Sequence, residues 1–196
     1  MLLYVGGGLS EMIGIFGLAN VTVTSLTLDG NGSAAVKDGI LAGSSSGLRL
    51  ENLIIRNFGN APEGPRGIRF DPDVTDSVIS GNRIENIGTG SAWGAGIRLS
   101  WRSSRNQVTD NIIANTGRGG IFCDNDATDN MILRNTVTGS GGEKLGIEVW
   151  SGCHRALIED NLIDHWLSLD GSNYCAVRRN TVSDKNGINA KLVVSS

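Results

Sequence analysis

The chain has 196 residues, a formal charge of −3, 28 glycines and only 5% aromatics. That length suits one domain, and so much glycine with so few aromatics fits a corner-rich chain better than a compact α/β core. The negative balance excludes a nucleic-acid backbone binder, no apolar run reaches membrane-spanning length, and Met1-Leu2-Leu3-Tyr4-Val5-Gly6-Gly7-Gly8 lacks the basic start and continuous apolar stretch of a signal peptide.

In chain order, repeat-like sequence begins by Ile13 and then recurs as three apolar columns. One strand is expected around each of Ile13, Ile40, Ile68, Ile97, Ile121, Ile147, Leu167 and Ile188, usually after a glycine. A second is centred on Val23, Leu50, Ile79, Val108, Ile132, Ile158 and Val177. Three residues later comes a corner, occupied in turn by Leu26, Leu53, Asn82, Asn111, Asn135, Asn161 and Asn180, at intervals of 27, 29, 29, 24, 26 and 19 residues. Two residues beyond each corner a third strand passes through Leu28, Ile55, Ile84, Ile113, Val137, Ile163 or Val182. Six beyond it stand Gly32, Gly59, Gly88, Gly117 and Gly141, a second corner where positive φ is expected.

Apolar positions alternate with polar ones and β-branched residues are frequent, so the segments are strands. A three-strand repeat cannot bury its own inner face and must stack on its neighbours. The expected fold is therefore an all-β, right-handed parallel β-helix of about seven rungs with three short strands each. Residues 1–196 form one domain, read as a segment of a longer helix or as uncapped at both ends. The corner asparagines are expected to stack as an inward ladder. Cys123 and Cys175 are read as core thiols and Cys153 as a turn residue; three cysteines without a CxxC pairing suggest neither a disulfide framework nor structural zinc. His165 reads as a corner residue and His154 as a turn residue.

The recurring Gly-Ile strand and corner runs such as Gly81-Asn82-Arg83-Ile84-Glu85-Asn86-Ile87-Gly88 and Asp110-Asn111-Ile112-Ile113-Ala114-Asn115-Thr116-Gly117 resemble the pectin-lyase-like superfamily of right-handed parallel β-helices, particularly its carbohydrate-active branch. The resemblance covers nearly the whole chain and implies a polysaccharide or oligosaccharide partner. It also implies an extracellular or periplasmic location for the full-length form.

Chemistry is expected on the outward columns of the Gly-Ile strands. One column runs Gly14, Leu41, Arg69, Arg98, Phe122, Glu148, Ser168, Asn189, and the other Phe16, Gly43, Asp71, Ser100, Asp124, Trp150, Asp170, Lys191. Long loops, chiefly Asn60-Ala61-Pro62-Glu63-Gly64-Pro65-Arg66 and Thr89-Gly90-Ser91-Ala92-Trp93, wall one half of this face, and such loops carry binding. A groove open along its length suits a chain-like ligand. Trp93, Trp101 and Trp150 are candidates for stacking on sugar.

Strands ~4.8 Å apart with a two-residue step of ~6.7 Å put Glu148 on the order of 8 Å from Asp124 and from Asp170. Inverting glycoside hydrolases separate their two carboxyls by about 6.5–9.5 Å. Asp124, Glu148 and Asp170 are therefore the candidate catalytic residues of a glycoside hydrolase, with Arg69, Asp71, Arg98, Trp101, Phe122 and Trp150 binding substrate and no cofactor. The alternative is a uronate lyase or C5-epimerase, in which Arg69 and Arg98 clamp a sugar carboxylate and Asp71, Asp73, Asp124 and Asp126 hold calcium. Gly67-Ile68-Arg69-Phe70-Asp71-Pro72-Asp73 is similar to the Tyr-Gly-x-Asp-Pro-His-Asp signature of mannuronan C5-epimerases only in its Gly, Asp-Pro and final acid. The Asn-Thr-Asp, Asp-Asp and Gly-His-Gly motifs of polygalacturonases are absent. A non-catalytic reading is a glycan-binding or tailspike module, for which outward Met131, Leu133, Leu157 and Leu162 would supply a subunit-packing face; whatever the function, ends without a capping helix lead us to expect a homo-oligomer, end-to-end contact or a missing flanking segment.

Overall fold

The computed structural model describes residues 1–3, 10–140, 145–183 and 192–195. Among them, 23 strands form three parallel sheets of 8, 8 and 7 strands, with no helix. Each rung gives one strand to each sheet. The short sheet runs from Thr22–Thr24 to Ala176–Arg178, all of three residues. The middle sheet starts at Leu2–Leu3 and ends at Thr181–Val182. The long sheet starts at Glu11–Phe16 and ends at Leu192–Ser195. This is the expected β-helix, and the seven strands of the short sheet give the expected number of rungs.

The apolar columns are in register throughout. Ile40 pairs with Ile68, Ile68 with Ile97, Ile97 with Ile121, and Ile121 with Ile147. These side chains, with Leu50, Ile79, Val108, Ile132 and Ile158 from the short sheet and Ile55, Ile84, Ile113, Val137 and Ile163 from the middle sheet, form one core running along the axis. The glycine before each isoleucine is a packing requirement. A Cβ on Gly120 would lie 2.2 Å from Val137 Cγ1 and 2.8 Å from the Gly146 carbonyl oxygen. On Gly96 it would lie 2.5 Å from Ile113 Cγ2. Two sheets converge here, and only a residue without a side chain fits between them.

The asparagine corner forms the expected ladder. Asn111 Oδ1 accepts from the Asn82 backbone N–H at 3.0 Å, while Asn111 Nδ2 donates to the Ile79 carbonyl at 3.0 Å and to Asn135 Oδ1 at 2.9 Å. Asn82, Asn111, Asn135 and Asn161 are each 1% exposed, so their amides satisfy groups that water does not reach. A second inward ladder, absent from the expectations, links Ser77 N–H to Asn106 Oδ1 (3.1 Å) and Asn106 N–H to Asn130 Oδ1 (2.9 Å). Outside, exposed corners carry arginine–aspartate pairs between rungs, among them Arg102–Asp73, Arg105–Asp76, Arg134–Asp110 and Arg155–Asp129.

Several expectations are corrected. Repeat structure begins before Ile13, because Leu2 and Leu3 pair with Leu28 and Asp29. Leu192, not Ile188, is the register partner of Leu167, so Val193 and Ser195 take the register positions given to Asn189 and Lys191; Gly141, Ile188, Asn189 and Lys191 lie outside the described residues. Positive φ occurs at Gly32 and Gly88 but is not what Gly59 and Gly117 serve. At those two a Cβ would sit 2.3 Å from the Gly32 oxygen and 2.4 Å from the Ser91 oxygen, so crowding by the neighbouring loop selects glycine. Cys123 is in the core and Cys153, although in a turn, is fully buried, while Cys175 is half-buried with its Sγ 3.6 Å from the Cys153 carbonyl. Met131, Leu133 and Leu157 are half-buried and Leu162 is 45% exposed.

Candidate functional site

The outer face of the long sheet collects the charged residues. Leu41, Arg69, Arg98, Phe122, Glu148 and Ser168 follow one another on consecutive rungs, as the outward column requires. At the far end of the strands Trp150 is in register with Asp170. Asp124 lies just past the strand Gly119–Cys123, its N–H donating to the Leu99 carbonyl at 3.0 Å.

The acids on this face are engaged with arginines. Asp71 is hydrogen-bonded to Arg69, and the fully buried Asp124 to Arg98. Glu148, 7% exposed, receives Arg118 Nε and Nη2 at 3.2 Å each, a bidentate pair. Asp170 is half-buried at the end of its strand. Phe122 is not an open stacking surface: it is 3% exposed, lies 6.3 Å from the nearly parallel Trp150 ring, and has the guanidinium carbons of Arg98 and Arg118 each 5.2 Å from its centroid. Arg118 also covers Trp93, at 4.5 Å. Trp101 stands in the turn beyond the strand Ala95–Leu99, 49% exposed and with φ of 46°. His165 is a buried corner residue with Nδ1 2.6 Å from Asp164 Oδ1, and His154 Nδ1 accepts from the Asn173 N–H at 2.9 Å.

A cleft of about 280 Å³ opens where the two long loops meet this face, lined by Glu63, Arg66, Arg69, Trp93 and Arg98. The Nε groups of Arg66, Arg69 and Arg98 are all buried there without a hydrogen-bond partner in the protein. Three orphaned cationic donors around one cleft are costly unless something supplies acceptors. Beside them Asp38, 2% exposed, sets Oδ2 3.7 Å from Arg69 Nη1 while its Oδ1 has no partner. Burial pushes the Asp38 carboxyl up to about 6, against the pull of Arg66 and Arg69, and burial lowers Arg66 to about 10. A larger hollow of about 680 Å³ lies across the same loops near Asp29, Asn57 and Asn86, but none of its lining side chains holds a buried unpartnered polar atom.

Arg66 and Asp38 escaped the sequence reading for a geometric reason. Strict alternation from Ile68 and Ile40 places both inside. Because Gly67 and Gly39 also lean inward, with their Cβ positions 2.6 Å from Ile84 Cγ2 and 2.9 Å from Ile55 Cγ2, the alternation breaks at the glycine and the preceding residue joins the outer face. Arg118 sits on a two-residue connection that gave no periodic signal. Three of the four aspartates suggested for calcium have arginine partners: Asp71 holds Arg69, Asp73 holds Arg102 and Asp124 holds Arg98. No group of three or more His, Cys, Asp or Glu side chains arranged for a metal occurs among the described residues.

Comparison with known proteins follows this geometry. The family described as "right handed beta helix region" matches residues 38–163. No curated protein matches the sequence. Crystal structures of a single and a double mutant of the periplasmic alginate epimerase AlgG superpose with TM-scores of 0.65 and 0.63, each at 17% identity, over 95% of this chain and 48% of theirs. The chain thus spans about half the length of the solved structures it matches. The likeness carries the fold, a right-handed parallel β-helix.

Proposed function

The chain belongs to the right-handed β-helix family, and on that premise we propose that it is a carbohydrate-active protein that binds an acidic polysaccharide along the outer face of the long sheet. The observation that carries this reading is the cleft of Arg66, Arg69 and Arg98, whose buried Nε donors lack acceptors beside an indole, Trp93. A planar carboxylate on a pyranose ring would supply acceptors to these guanidiniums as they turn toward the cleft, and the ring's apolar face suits an indole. The structural likeness to an alginate epimerase agrees with a uronate class of ligand and with a periplasmic or extracellular setting.

For the reaction, we propose glycoside hydrolysis by the carboxylates of this face. Glu148 would donate a proton to the leaving glycosidic oxygen, and Asp124 or Asp170 would take one from the attacking water. Arg98 would hold Asp124 for the base role, while Arg118, whose bidentate pair needs Glu148 ionised, would have to move away before Glu148 could donate its proton. The arginine cleft also favours a second reading, elimination or epimerisation of a uronate: a guanidinium neutralising the sugar carboxylate makes the adjacent ring proton easier to remove. Incubation with neutral and uronate oligosaccharides, read by mass and by absorbance at 235 nm, tests both. Hydrolysis adds water without absorbance, elimination produces it, and epimerisation changes neither mass nor absorbance. Trp93→Ala is expected to weaken binding by roughly 1–2 kcal/mol. Failure of every uronate oligosaccharide to bind would overturn the proposal.

A further inference from the structure

We infer that Asp38 is the positioning residue that sets the charge of the arginine cleft: ionised, it offsets one positive charge beside Arg66 and Arg69, and protonated, it leaves that charge to an anionic ligand. This rests on the proposed binding of an acidic polysaccharide and adds its regulation by pH.

Asp38 opens the strand Asp38–Gly43 and is the register partner of Arg66 on the next rung and of Glu11 on the rung before. Its carboxylate is 3% exposed, near Arg69 Nη1 on one oxygen and without a partner on the other. A buried carboxylate with one orphaned oxygen among cations is a poorly solvated anion, and protonation relieves that cost.

Charge counting gives the consequence. Arg66, Arg69 and Arg98 bring three positive charges, Asp38, Asp71 and Asp124 bring three negative ones, and the lining Glu63 is offset by its pair with Lys37. With all three acids ionised, an incoming carboxylate meets a cleft with no net charge. One proton on Asp38 leaves it at plus one. The groups acting on Asp38 come from each neighbouring strand: Glu11 from the preceding one, Arg66 and Arg69 from the following one, and Arg98 one rung beyond. Lys37, next in sequence, is 3.4 Å from Glu63 instead. With its carboxyl pushed up to about 6, Asp38 changes charge within the range where a uronate stays ionised.

The test is a calorimetric titration of the intact chain with a uronate oligosaccharide from pH 5 to 8 at fixed ionic strength, with Asp38→Asn alongside. The wild type should lose about tenfold in affinity between pH 5.5 and 7.5. Asp38→Asn should bind over the whole range with the affinity the wild type shows in acid. A pH-independent wild type, or an Asp38→Asn protein that keeps the slope, overturns the inference while leaving uronate binding intact. No binding to either protein at any pH overturns both. Should Asp38→Asn not fold, carbon NMR of the Asp38 carboxyl in the wild type gives the answer. By linkage its titration midpoint must rise when the uronate is present, and an unmoved midpoint overturns the inference.

Discussion

The asparagine corner and the arginine cleft are both built from buried polar side chains, yet they treat hydrogen-bonding capacity in opposite ways. At the corner, Asn82, Asn111, Asn135 and Asn161 each accept the preceding rung's corner N–H and donate to a carbonyl of that rung, and none of their side-chain atoms is left over. In the cleft, Arg66, Arg69 and Arg98 each keep a buried donor unpartnered, and Asp38 and Asp124 each keep an oxygen. The same stacking that saturates one column starves the other. The asparagines that hold this corner are internally complete, whereas the guanidiniums around the cleft are not, and elsewhere in the rungs only the hydroxyls of Ser100, Thr116 and Ser140 are buried without a partner among the described residues.

The comparison breaks first at the corner. Asn111→Leu removes the acceptor of the Asn82 N–H and the donor to the Ile79 carbonyl in a site without water. A loss of about 3 kcal/mol or more in urea unfolding is expected, because each orphaned group costs about 1–3 kcal/mol. A loss below ~1 kcal/mol would mean that the ladder is ornament rather than support. Gly120→Ala comes next. Its methyl must displace Val137 and press on the Gly146 carbonyl, and overpacking of this kind costs about 1–3 kcal/mol; a melting temperature equal to wild type would refute the crowding account of the Gly-Ile strand.

In the cleft the sign reverses. Because the folded Asp38 carboxyl lies at about 6, above its unfolded value of 3.8, the folded state binds the extra proton between those values. Stability therefore falls as pH rises through that window. Asp38→Asn should be more stable than wild type at pH 7, by at most about 3 kcal/mol, the difference fading as pH falls below the unfolded value of 3.8. A destabilised Asp38→Asn at pH 7 would mean that the carboxylate is net favourable where it sits. The smallest effect belongs to the exposed corners. Arg134→Ala deletes a bidentate pair with Asp110 in which both side chains are about half exposed, and should cost no more than about 0.5 kcal/mol, less still at high salt.

What was legible in the sequence follows the same division. The fold is repetition, so aligned columns of isoleucine, valine and asparagine reveal sheets, corners and register before any coordinates. The outward column of Arg69, Arg98 and Glu148 was legible for that reason. The cleft is where repetition fails. Asp38 and Arg66 turn outward because two residues in succession face the core at each Gly-Ile pair, which a period-two reading cannot represent. Trp93 is brought over Arg118 by a loop whose length differs from its neighbours, and Arg118 reaches Glu148 from a connection belonging to no strand. Side-chain pairing also lay beyond the pattern: the sequence places Asp124 and Glu148 on the face but does not disclose that each is held by an arginine.

Nitrogen-15 NMR of the arginine Nε–H and asparagine Nδ2–H groups, recorded while a uronate oligosaccharide is added, measures that division directly. The account predicts that the Nε–H signals of Arg66, Arg69 and Arg98 move on binding, while the side-chain amides of Asn82, Asn111 and Asn135 do not. Unmoved arginine signals in the presence of bound sugar, or shifts concentrated on the asparagine corner, would contradict it.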